Sequence, residues 1–372
     1  MIPVAKEIKT IFNLVKDKGY EIYIVGGYVR DSLLNKVSYD IDMTTSATPN
    51  VLKEIFKNYE LKEEFMGFGS IKFEFNKYHF EITTFRKEGV YKDYRKPEHI
   101  EFTTSLKEDL LRRDFTMNAL CYDLDSVIDM FDGIKDLKEK TINTIGNPFV
   151  RFKEDSLRIL RALRFSSKLG FSIGDETKEA IKNTYKYLTK INYSTLLREL
   201  KGILEGENYI DVLHEYNHEL KEAFYLNDLK IELFKENMTE EEKEALFFYF
   251  SDRQIDNKYL NYKDLKYIND KMDLKYKLKK YGNEIIENNL YFRSKYFNED
   301  KHIYDMYKEI VNKKECHNLK MLEVNGNDLI NLNVRNKNIG EYLDFLLNSV
   351  IENKCENNKE KLIEYLKNNK ID

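Results

Sequence analysis

Proline is scarce in this 372-residue chain: there are four, and none follows Pro148. Proline ends helices because it lacks an N–H and clashes with the preceding turn, so no such break falls within residues 149–372. Cysteine is scarcer still. Cys121, Cys316 and Cys355 lie far apart and form no CxxC pair, which excludes a disulfide framework and fits reduced thiols in a cytosolic protein. Long apolar runs are missing, and MIPVAKEIKTIF mixes acidic and basic residues early. No signal peptide, membrane span or membrane partner is expected, and a cytoplasmic location follows as the default. A strong charge of either sign is absent as well. The formal net charge is -4, which excludes no partner, because local patches matter more than the total.

The length allows roughly two to three domains, and the composition changes near residue 140. Before it, EIYIVGG, YDIDMTT, SIKFEF, HFEITTF and HIEFTT read as strands of a mixed sheet. A helix ending at Gly19 precedes them, and another follows Pro49. After residue 150 the chain reads as helix almost throughout, starting with KEDSLRILRALRFSSKLG and its stop at Gly170.

Within the first part, SYDIDMTT places Asp40 and Asp42 on one face of a strand. Aspartate is depleted in strands, and like charges two apart crowd one another. Hard oxygen ligands of this kind suit Mg²⁺, and two such ions serve in-line phosphoryl displacement. An exposed edge strand is the plainer account of the pair taken alone. Just upstream, VGGYVRD sets Gly26 and Gly27 between a strand and a helix, where backbone approaches a phosphate closely and Arg30 adds a charged fork. Glu81 in HFEITTF is a candidate third carboxylate, or a surface residue. LLRRDFTMNAL supplies Arg112, Arg113, Asp114 and Asn118, a mix suited to a triphosphate and a ribose hydroxyl. Asp155, Arg158, Arg161 and Arg164 recur at i+3 spacing on the expected helix, where Asp155 paired to Arg158 on a solvated stripe is the plain alternative.

Taken in order, VGGYVRD, YDIDMTT, EITTFRKEGVYKDYRKPEHIEFTTSL, LRRDFTMNAL, DMFDG, RFKEDSLRILRALRF and STLLRELKGIL resemble the class II tRNA nucleotidyltransferases and the related bacterial poly(A) polymerases. The resemblance is strong over roughly residues 20–205 and continues beyond only as helix. It implies an α+β fold: a polymerase-β-type nucleotidyltransferase head (1–140), then an all-α neck (141–205), body (206–265) and tail (266–372). It implies Mg²⁺-dependent, template-independent addition of CCA to the 3′ end of tRNA from CTP and ATP, with poly(A) polymerase or partial C- or A-addition as alternatives. The residues matching Asp40 and Asp42 would be catalytic and hold the metal, with Glu81 beside them. Those matching Gly26, Gly27, Arg30, Arg113, Asp114, Asn118, Asp155, Arg158, Arg161 and Arg164 would bind the nucleotide.

The chemistry of Asp155 and Arg158 suits that role. Cytosine and adenine each present an amino donor beside a ring-nitrogen acceptor; uracil and guanine present the reverse. One carboxylate–guanidinium pair therefore accepts C and A and rejects U and G. Residues 86–104 resemble the family's flexible loop at full length, which favours complete CCA addition. Asn35, Met130 and Asp132 depart from the family's commoner Gly, Pro and Gly.

Two further patterns bear on function. HEYNH at 214–218 is a literal HExxH, so a zinc peptidase built on His214 and His218 is a remote alternative. Near 275–281, lysines 275, 277, 279 and 280 interleave with Tyr276 and Tyr281. Such lysines suit RNA phosphates and such tyrosines suit unpaired bases, or both line solvated helix faces.

Overall fold

The computed structural model describes residues 2–62, 67, 69–89, 91–92, 94–252, 255–260, 265, 267–297 and 300–369. The chain divides into two compact units, Met1–Ile231 and Glu232–Asp372. The first begins with α1 (Lys6–Lys16), β1 (Ile22–Val25), α2 (Gly27–Leu33), β2 (Asp40–Thr45), α3 (Pro49–Ile55), β3 (Ser70–Phe75) and β4 (Tyr78–Thr84). A charged ribbon follows: β5 (Arg86–Glu88), β6 (Tyr91–Lys92), β7 (Lys96–Pro97) and β8 (Ile100–Phe102). Then come α4 (Leu106–Leu111), β9 (Cys121–Tyr122), β10 (Val127–Ile128), α5 (Gly133–Glu139) and β11 (Thr141–Ile142).

The strands form a sheet in the order β10-β9-β1-β2-β4-β3. β2 and β4 run parallel, and the neighbouring pairs run antiparallel. β2 is therefore an interior strand and not the exposed edge that would account for its aspartates plainly. Its alternation is preserved: Ile41 and Met43 are buried while Asp40 and Asp42 face the other way. Phe56, Phe73 and Phe80 pack under the sheet, with Phe73 and Phe80 stacked at 5.3 Å. Val25, Phe85, Leu110 and Cys121 belong to a second core, and burial raises the Cys121 thiol pKa to about 12, so it is inert at neutral pH.

The helical part of this unit holds α6 (Pro148–Glu154), α7 (Leu157–Leu169), β12 (Ser172–Ile173), α8 (Asp175–Thr184), α9 (Tyr193–Leu204), α10 (Tyr209–Glu215) and α11 (Asn217–Phe224). Two expectations need correction. The stretch beyond residue 140 is not purely helical, because β12 pairs in parallel with β11. KEDSLRILRALRFSSKLG is not one helix either: α6 stops at Asp155, which is extended (φ -133°, ψ 97°). Asp155 Oδ1 accepts from the Leu157 N–H at 3.1 Å, and the Ser156 N–H donates to the Tyr94 carbonyl at 2.8 Å. Two amides that would have joined a continuous ladder are thus satisfied elsewhere.

The departures from the family's glycines are conformationally sound. Asn35 and Asp132 both adopt left-handed backbone, at φ 58° and 61°, which short polar side chains tolerate. Gly170 ends α7 at φ 68°, as expected.

The second unit contains α12 (Glu240–Phe248), α13 (Lys271–Tyr281), α14 (Asn283–Tyr296), α15 (Lys301–Asn312), α16 (Gly326–Asn331), α17 (Ile339–Ile351) and α18 (Lys359–Asn369). Leu274, Leu278, Leu290 and Ile310 share one core, and Leu329, Leu346, Leu347 and Leu362 share another. Among the described residues, no helix is long and apolar enough to cross a membrane.

Candidate active site

Gly26 turns the chain from β1 into α2 at φ 73°, ψ -127°, a region that side chains avoid. A Cβ there would lie 3.6 Å from Arg113 Nη1 and 3.9 Å from Asp42 Oδ2. The turn therefore brings backbone, Arg113 and the β2 carboxylate together. We expect Gly26→Ala to cost about 1–3 kcal/mol of stability through backbone strain, read as a lower urea midpoint with an unchanged slope.

Asp42 is held in an unusual electrostatic state. Burial raises its pKa, Glu81 and Asp40 raise it further, and Arg113 and Lys72 only partly offset this. Glu81 stands directly beside Asp42 in the parallel ladder. It does not line the cleft described next, however, and it makes an ion pair with Lys72 at 2.7 Å.

The cleft has a volume of about 760 Å³, within the usual range for small-ligand sites. Apart from Glu81, every candidate residue lines it. Gly26, Gly27 and Arg30 come from the turn and α2, and Asp40 and Asp42 from β2. Arg113, Asp114 and Asn118 follow α4, and Asp155, Arg158, Arg161 and Arg164 lie at and along α7. Hydrogen bonds tie these groups into a chain. Arg161 Nε donates to Asp114 Oδ2 at 2.7 Å, Asn118 Nδ2 to Asp114 Oδ1 at 3.0 Å, and Arg30 Nη1 to Asn118 Oδ1 at 2.7 Å. Burial alone would raise the Asp114 pKa, but Arg161 and the hydrogen bonds from Asn118 and the Phe115 amide hold it well below the usual carboxylate range. Asp114 and Asn118 thus orient the arginines around them.

Seven of the eight arginines that line the cleft have an acid beside them, Arg95 being the exception among the described ion pairs. Arg30 meets Asp31 at 2.8 Å, Arg86 meets Glu88 at 3.3 Å, and Arg158 meets Glu154 at 3.3 Å. Arg161 meets Asp114 at 2.6 Å, and Arg112 and Arg113 share the fully buried Asp109 at 2.9 and 3.5 Å. Arg164 Nε lies 2.8 Å from Glu199 Oε2, yet neither atom makes a hydrogen bond, so this contact is ionic and misaligned. A Cβ on Gly202 would clash with Arg164 Cδ, so this glycine leaves Arg164 room beside α9.

The ion pair between Asp155 and Arg158 that the plain alternative required is absent from the ion pairs of the described residues. Arg158 instead donates to Glu154, to the Arg112 and Arg151 carbonyls, and to the Tyr91 hydroxyl at 3.1 Å. Among the described residues Asp155 accepts only from the Leu157 amide, and burial raises its pKa in spite of Arg158. It is a carboxylate facing a cleft with acceptor capacity unspent.

Sequence reasoning missed Asp109, Tyr91 and Phe165. Asp109 also accepts from Thr44 Oγ1 at 2.9 Å and from the Arg86 amide at 3.2 Å, tying β2 to the base of the ribbon. Tyr91 belongs to that ribbon, in which β5 pairs with β8 and β6 with β7. At its turn Tyr94 (φ 57°) stacks on Tyr187 with centroids 4.4 Å apart. Residues 90 and 93 of the expected loop lie outside the described residues. RRD and the charged ribbon were visible as polar clusters, but partners separated by tens of residues left no local signal.

Of the two secondary patterns, the HExxH does not survive. His214 lies on α10 and His218 on α11, with the helix broken at Tyr216 (φ -113°, ψ 27°). His218 Nε2 is hydrogen-bonded to the Tyr185 hydroxyl at 2.9 Å. Among the described residues no group of three His, Cys, Asp or Glu side chains is placed to hold an ion alone, which removes the zinc reading. On α13, Lys275 is buried against Glu315 at 2.8 Å, Lys279 bonds Asn348 at 2.7 Å and pairs with Asp344, and Tyr276 donates to Glu352 at 2.6 Å. These three residues knit the second unit internally.

Comparison with known proteins bears on both units. Residues 22–143 match the family described as Poly A polymerase head domain, and residues 247–366 match that described as tRNA nucleotidyltransferase domain 2. The CCA-adding enzyme of Enterococcus faecalis is 44% identical over 204 residues, which is 55% of this chain and 50% of that protein. That of Lactobacillus helveticus is 43% identical over 190 residues, 51% of this chain and 47% of that protein. The chain thus aligns with about half the length of these curated relatives. The crystal structure of the Bacillus stearothermophilus CCA-adding enzyme in complex with CTP covers 98% of both chains, at 25% identity and a TM-score of 0.65.

Proposed function

We propose that this chain, whose head is that of the class II tRNA nucleotidyltransferases and their poly(A) polymerase relatives, adds CCA to the 3′ end of tRNA from CTP and ATP. The observation that carries the reading is the single cleft in which the β2 carboxylates, the glycine turn, the arginines and Asp155 converge. Binding of CTP by a structural relative along nearly the whole chain supports it.

Asp40 and Asp42 would hold Mg²⁺. They fit it: Asp42 faces the cleft and is crowded by Glu81 and Asp40, a concentration of negative charge that a divalent cation offsets. Two carboxylates without a third protein ligand also suit an ion that keeps waters and bridges substrate phosphates. The ion, when bound, would stabilise charge on the attacking and leaving oxygens. The Gly26–Gly27 turn, Arg30 and Arg113 would hold the triphosphate, and Asp114 and Asn118 would fix Arg161 and Arg30. Asp155 would accept from the amino group of C or A while Arg158 donates to the ring nitrogen, and Arg161 and Arg164 would support the site. The RNA 3′-hydroxyl would then attack the α-phosphorus in line, and pyrophosphate would leave. Glu81 would act on Asp42 from beside it in the ladder. We assign residues 1–140 to the head, 141–205 to the neck, 206–265 to the body and 266–372 to a tail that contacts tRNA, and place the protein in the cytoplasm.

The test is a tRNA transcript lacking its last three nucleotides, incubated with Mg²⁺ and each labelled nucleotide. Two additions with CTP alone and a third only with ATP are expected. A long adenosine ladder without CTP would replace this reading with poly(A) synthesis, and a stop after two cytidines in the presence of ATP would reduce it to partial addition.

A further inference from the structure

Phe165 has no place in the mechanism above, yet it lines the cleft. The guanidinium carbons of Arg30 and Arg164 lie 5.0 Å from its ring centroid, and that of Arg161 lies 5.7 Å away. Three cations around one ring is an unfavourable gathering by Coulomb's law. Asp31, Asp114 and Glu199 neutralise them from outside, and the negative face of the ring attracts them from inside. The ring is itself set from behind: Phe115, fully buried, meets it edge-on at 5.8 Å and 85°. Donors remain unspent in this cluster. Among the described residues, Nη1 of Arg161 and both Nη groups of Arg164 make no hydrogen bond. A fan of guanidinium N–H groups with its acids behind it matches an anion with many oxygens.

We infer that Phe165 is a positioning residue for polyphosphate: its ring gathers Arg30, Arg161 and Arg164 so that their remaining donors converge on one phosphate chain. This rests on the reading that a nucleoside triphosphate occupies the cleft. An aliphatic residue of similar size would fill the space and leave the three guanidiniums to spread.

The probe is inorganic pyrophosphate, titrated calorimetrically into the full chain, with cytidine as the phosphate-free control. Phe165→Leu should weaken pyrophosphate binding about tenfold, the scale of one or two desolvated cation–π contacts, and leave cytidine binding unchanged. Phe165→Trp should restore it. Replacing Phe165 by mono-, di- and trifluorinated phenylalanine keeps the shape but drains the ring face, and should weaken pyrophosphate binding step by step. This series decides the matter if Phe165→Leu fails to fold. A flat series, unaltered pyrophosphate binding in a folded Phe165→Leu, no pyrophosphate binding by the wild type, or a loss confined to cytidine would overturn the inference; the last would make Phe165 a base-stacking platform. Normal pyrophosphate behaviour in a protein that extends no tRNA would instead sink the CCA reading and leave the role of Phe165 standing.

Discussion

Asp42→Asn should reduce nucleotide addition by about 10³-fold or more, the rate equivalent of several kcal/mol of charge stabilisation at the reacting phosphate. The amide keeps the shape and loses the charge that would hold a cation. Two features make the result diagnostic. Ile41 and Met43 carry the packing of this strand, while Asp42 faces the cleft. Its ionised form is also disfavoured where it sits, by burial and by Glu81 and Asp40, so the neutral isostere should fold at least as well as the wild type. The measurement is single-turnover incorporation of CTP with Mg²⁺, alongside a thermal melt. Retention of a tenth or more of the wild-type rate would show that the β2 pair does not hold the catalytic ion.

A second large effect is expected at Asp155. Replacing it by Asn should lower the preference for CTP over UTP by about 10- to 100-fold, the scale of one or two buried hydrogen-bond mismatches. An amide offers an acceptor to cytosine or, turned over, a donor to uracil. The same logic gives the wild type a pH dependence. Burial raises the Asp155 pKa above the ordinary carboxylate value, Arg158 and the Leu157 amide only partly opposing it. As pH falls through that raised value the carboxyl gains a proton and presents a donor, so UTP misincorporation should rise; in Asp155→Asn it should stay flat. The stability consequence has a definite sign. A carboxyl with a raised folded pKa binds more protons folded than unfolded, so stability declines as pH rises from the unfolded pKa through the folded one. At neutral pH Asp155→Asn should therefore melt no lower than the wild type while selecting nucleotides worse. An unchanged C-to-U ratio in competition assays would remove Asp155 from base selection.

How far the sequence disclosed this arrangement depended on how local each cause was. The turn at Gly26 and the outward pair on β2 follow from short-range rules, namely a conformation that only glycine adopts freely and a strand period of two. Both were legible in VGGYVRD and SYDIDMTT. The break at Asp155 was not, because the amide of Ser156 is taken by a carbonyl from the ribbon, Tyr94, far back in the chain. Phe165 was passed over for a different reason: an aromatic at helical spacing reads as core, and only the approach of Arg30 from α2 gives it another meaning. Two of the lysines of α13 have partners that the sequence did not reveal. Glu315 returns to Lys275 from 40 residues away and Asp344 to Lys279 from 65. HEYNH failed at the level of the helix itself, which ends between the two histidines.

The pairing of most cleft arginines with nearby acids has a consequence for how a ligand arrives. Charges compensated within about 3–4 Å act as dipoles whose field dies away well inside the screening distance of roughly 8 Å at physiological ionic strength. With Asp40 and Asp42 also in the lining, the paired arginines offer a polyanion little long-range pull. A nucleotide would therefore meet its arginines only after entering, and the rate at which it is captured would be set by diffusion and fit and would vary little with salt.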